Sequence, residues 1–101
     1  MAYPPAGALL NLVIRAKDAA AGAREADAIG RRLRDAAKGR YRVLGPARAP
    51  LARLRGEHRF QILLKGQRAA MRSAVKGALV ERYGASRWPG IAVDVDPISV
   101  M

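Results

Sequence analysis

The sequence predicts one α+β domain of βαββαβ order: a four-stranded, mainly antiparallel sheet with two helices on one face. Three observations predict it. Stretches that alternate apolar and polar residues at period two lie near the start, in the middle and near the end of the chain. Two longer stretches between them repeat apolar residues at helical spacing. A chain of 101 residues, half of it apolar, suffices for a single modest core.

The first strand is read at Leu9–Ala16, with Leu10, Leu12 and Ile14 on one side and Asn11, Val13 and Arg15 on the other. Asp18 is placed to cap the helix that follows. The helix carries Ala26, Ile29, Leu33 and Ala37 as its apolar stripe, and Gly30 is expected to weaken its middle. Lys38 and Gly39 end it. Tyr41–Leu44 reads as a short second strand. Gly45–Gly56 does not read as an ordinary strand, because it opens on Gly-Pro and holds Pro50 as well. It reads instead as an extended basic arm. His58–Lys65 is the central strand, with Phe60, Ile62 and Leu64 on one side and Arg59 and Gln61 on the other. The second helix runs from about Gln67 to Tyr83, with Met71, Val75, Ala78 and Leu79 inward and Arg68, Arg72, Lys76 and Arg82 outward, and Gly84 closes it. Trp88-Pro89-Gly90 turns the chain into a last strand, in which Ile91, Val93 and Val95 alternate with Ala92, Asp94 and Asp96. The order is that of a ferredoxin-like split fold. Strand order within the sheet is not legible from the pattern.

Composition narrows the function. Nineteen Lys and Arg against eight Asp and Glu give a net charge of +11. Such an excess in a small domain favours a polyanionic partner. There is no cysteine, which excludes a disulfide scaffold and thiolate chemistry and is compatible with a cytoplasmic location. No apolar run reaches the length of a membrane span, so no membrane partner is expected.

Catalysis and metal binding find no residue set. The single histidine, His58, has no nucleophile or orienting carboxylate beside it in sequence. Asp94 and Asp96 share one face of a strand, where Arg15, Arg59 and Lys65 are expected to pair with them. Gly45-Pro46 lacks the Lys-Ser or Lys-Thr of a phosphate loop, and no Cys/His set could hold zinc. No cofactor is expected. The arginines carry the stronger signal. Arg48, Arg53 and Arg55 lie on the arm, with Lys65 expected nearby, and such a group can follow a sugar-phosphate backbone without reading bases. Arg68, Arg72 and Lys76 recur every four residues as a helical stripe. The sheet face away from the helices is expected to collect Val13 and Leu63 among polar residues, as either a docking face or an ordinary wet surface.

The segment Val43–Arg55, VLGPARAPLARLR, runs directly into Gly56–Lys65, GEHRFQILLK. With Tyr3-Pro4-Pro5 near the start and Val93-Asp94-Val95-Asp96-Pro97-Ile98 near the end, it resembles the C-terminal domain of PriA, the bacterial primosomal replication-restart helicase (primosomal protein N′). The resemblance covers nearly the whole chain, and Met1-Ala2 ahead of Tyr3 reads as a start placed on a domain boundary. It implies a sheet likened to that of a small-subunit ribosomal protein, and a non-catalytic module that packs beside the helicase lobes. It further implies help in binding branched or duplex DNA and part of a pocket for the acidic tail of single-stranded-DNA-binding protein. The family strand reads Gly-Arg-aromatic-Arg-aromatic-Gln. Gly56, Arg59, Phe60 and Gln61 match it, while Glu57 and His58 depart. Arg59 and Gln61 are therefore the implied protein-binding residues, and Glu57 is expected to repel an acidic tail. The alternative reading is a small basic RNA-binding protein of ribosomal type, on the same topology and charge.

Overall fold

The computed structural model describes residues 7–54, 56–85, 88 and 90–97. Tyr3-Pro4-Pro5, Arg55, Pro89 and Ile98 lie outside them, and for residues 50–54, 96 and 97 only the backbone is described. The order is β1 (Gly7–Ala16), α1 (Ala19–Ala37), β2 (Tyr41–Leu54), β3 (Glu57–Gln67), α2 (Arg68–Tyr83) and β4 (Ile91–Pro97). The strands form one antiparallel sheet in the order β2-β3-β1-β4. This is the expected α+β, ferredoxin-like arrangement, and it supplies the strand order that period-two alternation could not.

Alternation decides which face of the sheet is buried. Leu10, Leu12 and Ile14 of β1 lie opposite Leu64, Ile62 and Phe60 of β3, and all six are buried beneath the helices. Ile29 and Leu33 of α1 and Met71, Val75 and Leu79 of α2 close the core from above. Both helices start and stop where expected. The Asp18 carboxylate accepts from Ala21 N–H at 2.8 Å, satisfying one of the unpaired amides of the first turn of α1. Lys38 takes the left-handed conformation at its C-cap, and Gly84 N–H bonds the Val80 carbonyl at the end of α2.

Gly30 does not interrupt α1. It is buried, and a β-carbon there would stand 3.2 Å from Pro46 Cδ. The missing side chain lets β2 pass close under the helix. That gain in packing offsets the propensity cost that the sequence alone assigns to this residue.

The arm is a correction. Gly45–Leu54 continues β2 as a sheet strand, with register shifts between Leu44 and Ala47 and again between Arg48 and Arg53. Proline is excluded from a central strand because it lacks an N–H, but β2 is the edge of the sheet and Pro46 falls in the first shift. Gly45, at φ 99°, takes the positive dihedral that the first shift requires.

Candidate nucleic-acid and protein interface

Cross-strand register builds the open face of the sheet row by row. Arg42 of β2, Lys65 of β3 and Leu9 of β1 form one row. Leu44, Leu63 and Asn11 form the next, followed by Ala47, Gln61 and Val13, and then by Arg59 with Arg15. Arg59 and Gln61 therefore share this face, with Arg15 and Val13 directly across the ladder from them. Glu57 lies at the same end, and its carboxylate is 4.0 Å from an Arg15 Nη. The carboxylate that departs from the family pattern is thus partly neutralised by a cation from the neighbouring strand. Sequence reading did not pair these two residues, because their contact depends on the β1–β3 register.

Three features set this face apart from an ordinary wet surface. Leu44 is 48% exposed and lies across from Leu63, so the aliphatic patch is larger than Val13 and Leu63 alone. Asn11 Oδ1 and Arg59 Nε are shielded from solvent yet make no hydrogen bond. An unpaired buried polar atom costs about 1–3 kcal/mol. Like charges also face each other twice, at Arg42–Lys65 and Arg15–Arg59. Such pairs are destabilising until an anion sits between them.

Among the described residues the ion pair expected of Asp94 does not form, and for Asp96 only the backbone is described. Register sets Asp94 opposite Asn11 and Asp96 opposite Leu9, several residues along β1 from Arg15. Among the described residues Asp94 has no cation within ion-pair distance. The shared face was legible from alternation, but the offset between strands was not.

Of the four cations proposed for a phosphate track, Arg48 and Lys65 stand apart. Arg48 is opposite Phe60, so it lies on the helix side of the sheet, with its guanidinium 6.0 Å from the Phe60 ring centre. Arg53 is opposite His58 in the backbone ladder, and Arg55 lies outside the described residues. Lys65 is at the other end of β3 and on the other face, beside Arg42. Arg42 is the cation that sequence reading overlooked. Its signal was an exposed alternate position in a strand whose partner was unknown.

On the far side of the molecule the helices are joined by charge. Arg82 of α2 donates to both carboxylate oxygens of Glu25 of α1, at 2.9 and 2.8 Å, and the Tyr83 hydroxyl donates to the same carboxylate. The Arg82 hydrogen bond holds the Glu25 carboxyl at about 2, well below the ordinary carboxylate value. Burial and the Glu25 carboxylate push the Tyr83 phenol up to about 12. Arg32 and Glu81 pair at 2.6 Å along the same helix interface. The basic stripe of α2 stands elsewhere: Arg68, Arg72 and Lys76 border a groove of about 690 Å³ between α2 and β4. Among the described residues no group of three or more His, Cys, Asp or Glu could hold a metal, and no helix is long and apolar enough to cross a membrane.

Two comparisons bear on this geometry. The family described as "Primosomal protein N C-terminal domain" matches residues 1–98. A "Probable replication restart protein PriA" from Deinococcus radiodurans is 34% identical over 97 residues, covering 96% of this chain. The chain spans 10% of the length of that relative.

Proposed function

The chain belongs to the family of primosomal protein N C-terminal domains, and from that premise we propose that it is a non-catalytic binding module of a replication-restart helicase. It holds branched or duplex DNA by its phosphates, docks on the helicase lobes of its parent protein, and helps receive the acidic tail of single-stranded-DNA-binding protein. The observation that carries this reading is unbalanced charge. The chain bears 19 Lys and Arg, yet the described residues form only three ion pairs, Arg15–Glu57, Arg32–Glu81 and Arg82–Glu25. Most of its cations are available to a polyanion.

The tail reading rests on the open face. Gln61 can donate to a carboxylate, and Arg59 and Arg15 supply charge beside the aliphatic side chains of Val13 and Leu63. The DNA reading places the main contacts on Arg48 and Arg53 of β2 and on Arg55, with Lys65 and Arg42 as a separate cationic pair. No helix is patterned to enter a groove and read bases, so binding should be indifferent to sequence.

Titration of labelled forked, duplex and single-stranded DNA across salt concentrations tests this. Three or four phosphate contacts give a slope of about −3 to −4 in log affinity against log salt. Replacing Arg48, Arg53 and Arg55 together by alanine should remove most of the affinity, whereas Arg68→Ala with Arg72→Ala should not. A reversed ranking, or no detectable binding at low salt, would sink the DNA reading. A clear preference for structured RNA would establish the ribosomal-type alternative instead. For the tail, Glu57→Arg should tighten an acidic tail peptide and Gln61→Ala should loosen it, each by about 0.5–2 kcal/mol.

A further inference from the structure

We propose that the groove between α2 and β4 is a second recognition site, which takes an extended peptide alternating carboxylate and aliphatic side chains. The proposal goes beyond the reading above, which uses the open face and the β2 edge. The groove lies on the helix side of the sheet. Its floor is Val93 and Val95 of β4 with Trp88 beside them, and its wall is Arg68, Arg72 and Lys76 of α2.

The floor is uncovered because of how the second helix sits. α2 packs over β1 and β3 rather than over β4, and β4 has no strand on its outer side among the described residues. Val93 points to the core side, opposite Leu12, yet it is 41% exposed. Trp88 is held by a bond from its indole N–H to the Gly84 carbonyl at 2.8 Å, so it offers a fixed apolar wall. Aliphatic side chains seated here would be removed from water against Val93, Val95 and Trp88.

The wall specifies charge and spacing. Among the described residues none of Arg68, Arg72 and Lys76 has a carboxylate within ion-pair distance, whereas Arg82 of the same helix is paired with Glu25. Residues four apart on a helix advance about 6 Å along its axis. Alternate residues of an extended chain advance about 6.6–6.8 Å. Three carboxylates at alternate positions of one extended peptide can therefore meet the three cations in turn, while the intervening side chains turn toward β4. A phosphate backbone has the charge but would leave the apolar floor unfilled, so the groove favours a peptide over a nucleic acid.

A fluorescein-labelled peptide of four Glu-Val repeats, titrated by anisotropy, is the probe. Trp88 is the only tryptophan, so its emission reports occupancy of the groove directly. Saturable binding with a shift in Trp88 emission is expected. Arg72→Glu and, separately, Val93→Asp should each weaken binding by about tenfold or more, whereas Arg31→Glu, at an exposed position of α1 outside the groove, should change it by less than about twofold through long-range charge alone. Circular dichroism shows whether each variant is folded, and Arg72 is exposed, so its replacement leaves the core intact. Equal affinity for a peptide of the same composition with its glutamates and valines in separate blocks would overturn the proposal. So would equal losses in Arg72→Glu and Arg31→Glu, or displacement of the peptide by duplex DNA whose own binding depends on Arg72 and Val93.

Discussion

The sheet is assembled from two similar halves, β1-α1-β2 and β3-α2-β4, and they treat their edge strands in opposite ways. In the first half the edge strand is sealed under its helix. Gly30 lets Pro46 approach α1, Arg34 of α1 donates to the Gly45 carbonyl, and the buried Tyr41 hydroxyl donates to the Leu33 carbonyl at 2.6 Å. In the second half the helix presents long cations instead of a glycine, and β4 keeps its valines partly in water. The same connectivity thus yields one closed flank, which stabilises, and one open flank, which is available for binding. The choice between them is made by the size of the side chains where helix and edge strand approach.

The sharpest way to break this comparison is to truncate one aliphatic residue in each half and measure unfolding in urea. Leu33 is fully buried in α1, so Leu33→Ala should cost about 2–5 kcal/mol. Val93 is 41% exposed, and Val93→Ala should cost less than about 1 kcal/mol. Similar losses at the two sites would mean that the second flank is closed.

Close approach in the first half can be tested where α1 begins. A β-carbon at Gly22 would stand 2.6 Å from Phe60 Cε1 and 2.8 Å from Ala16 Cβ. Overpacking of about 1–3 kcal/mol should outweigh the gain of about 1 kcal/mol in helix propensity, so Gly22→Ala should lower the thermal midpoint. Gly77 of α2 meets nothing within 4 Å at the same construction, and Gly77→Ala should raise the midpoint.

Tyr41→Phe deletes the buried hydroxyl that joins β2 to α1. A loss of about 1 kcal/mol is expected in chemical denaturation, since one buried hydrogen bond to the Leu33 carbonyl is removed.

The smallest expected effect concerns the junction of the two halves. Glu25 has its carboxyl lowered to about 2 in the folded protein, below the ordinary value near 4.5. A depressed carboxyl stabilises the fold above its unfolded value, and that contribution is lost as pH falls from about 4.5 toward 2. Glu25 and Arg82 are 37% and 38% exposed, so solvent screening limits the effect to about 0.5–1 kcal/mol. Glu25→Gln should therefore reduce stability at neutral pH by that amount and leave it nearly unchanged at about pH 2. An equal deficit at both pH values would show that Glu25 acts through packing instead.

Local chemistry in the sequence determined the element order, the capping of α1 at Asp18, the inward sets of β1, β3 and both helices, and the placing of Arg59 and Gln61 on one face. Each of these follows from a repeat of two or about 3.6 residues, or from a single residue's bonding capacity. The family resemblance was legible for the same reason: it rests on contiguous motifs. Only the tertiary structure decided that β2 runs on through Pro46, because proline's tolerance depends on whether the strand is an edge, and edges are defined by non-local pairing. The same structure separated Lys65 from Arg48, joined Arg15 to Glu57, and kept Asp94 away from the arginines. Register is the common cause. Alternation assigns a face to each residue, but the neighbours of that residue depend on how far one strand slides past another, and that is set by packing across the whole sheet.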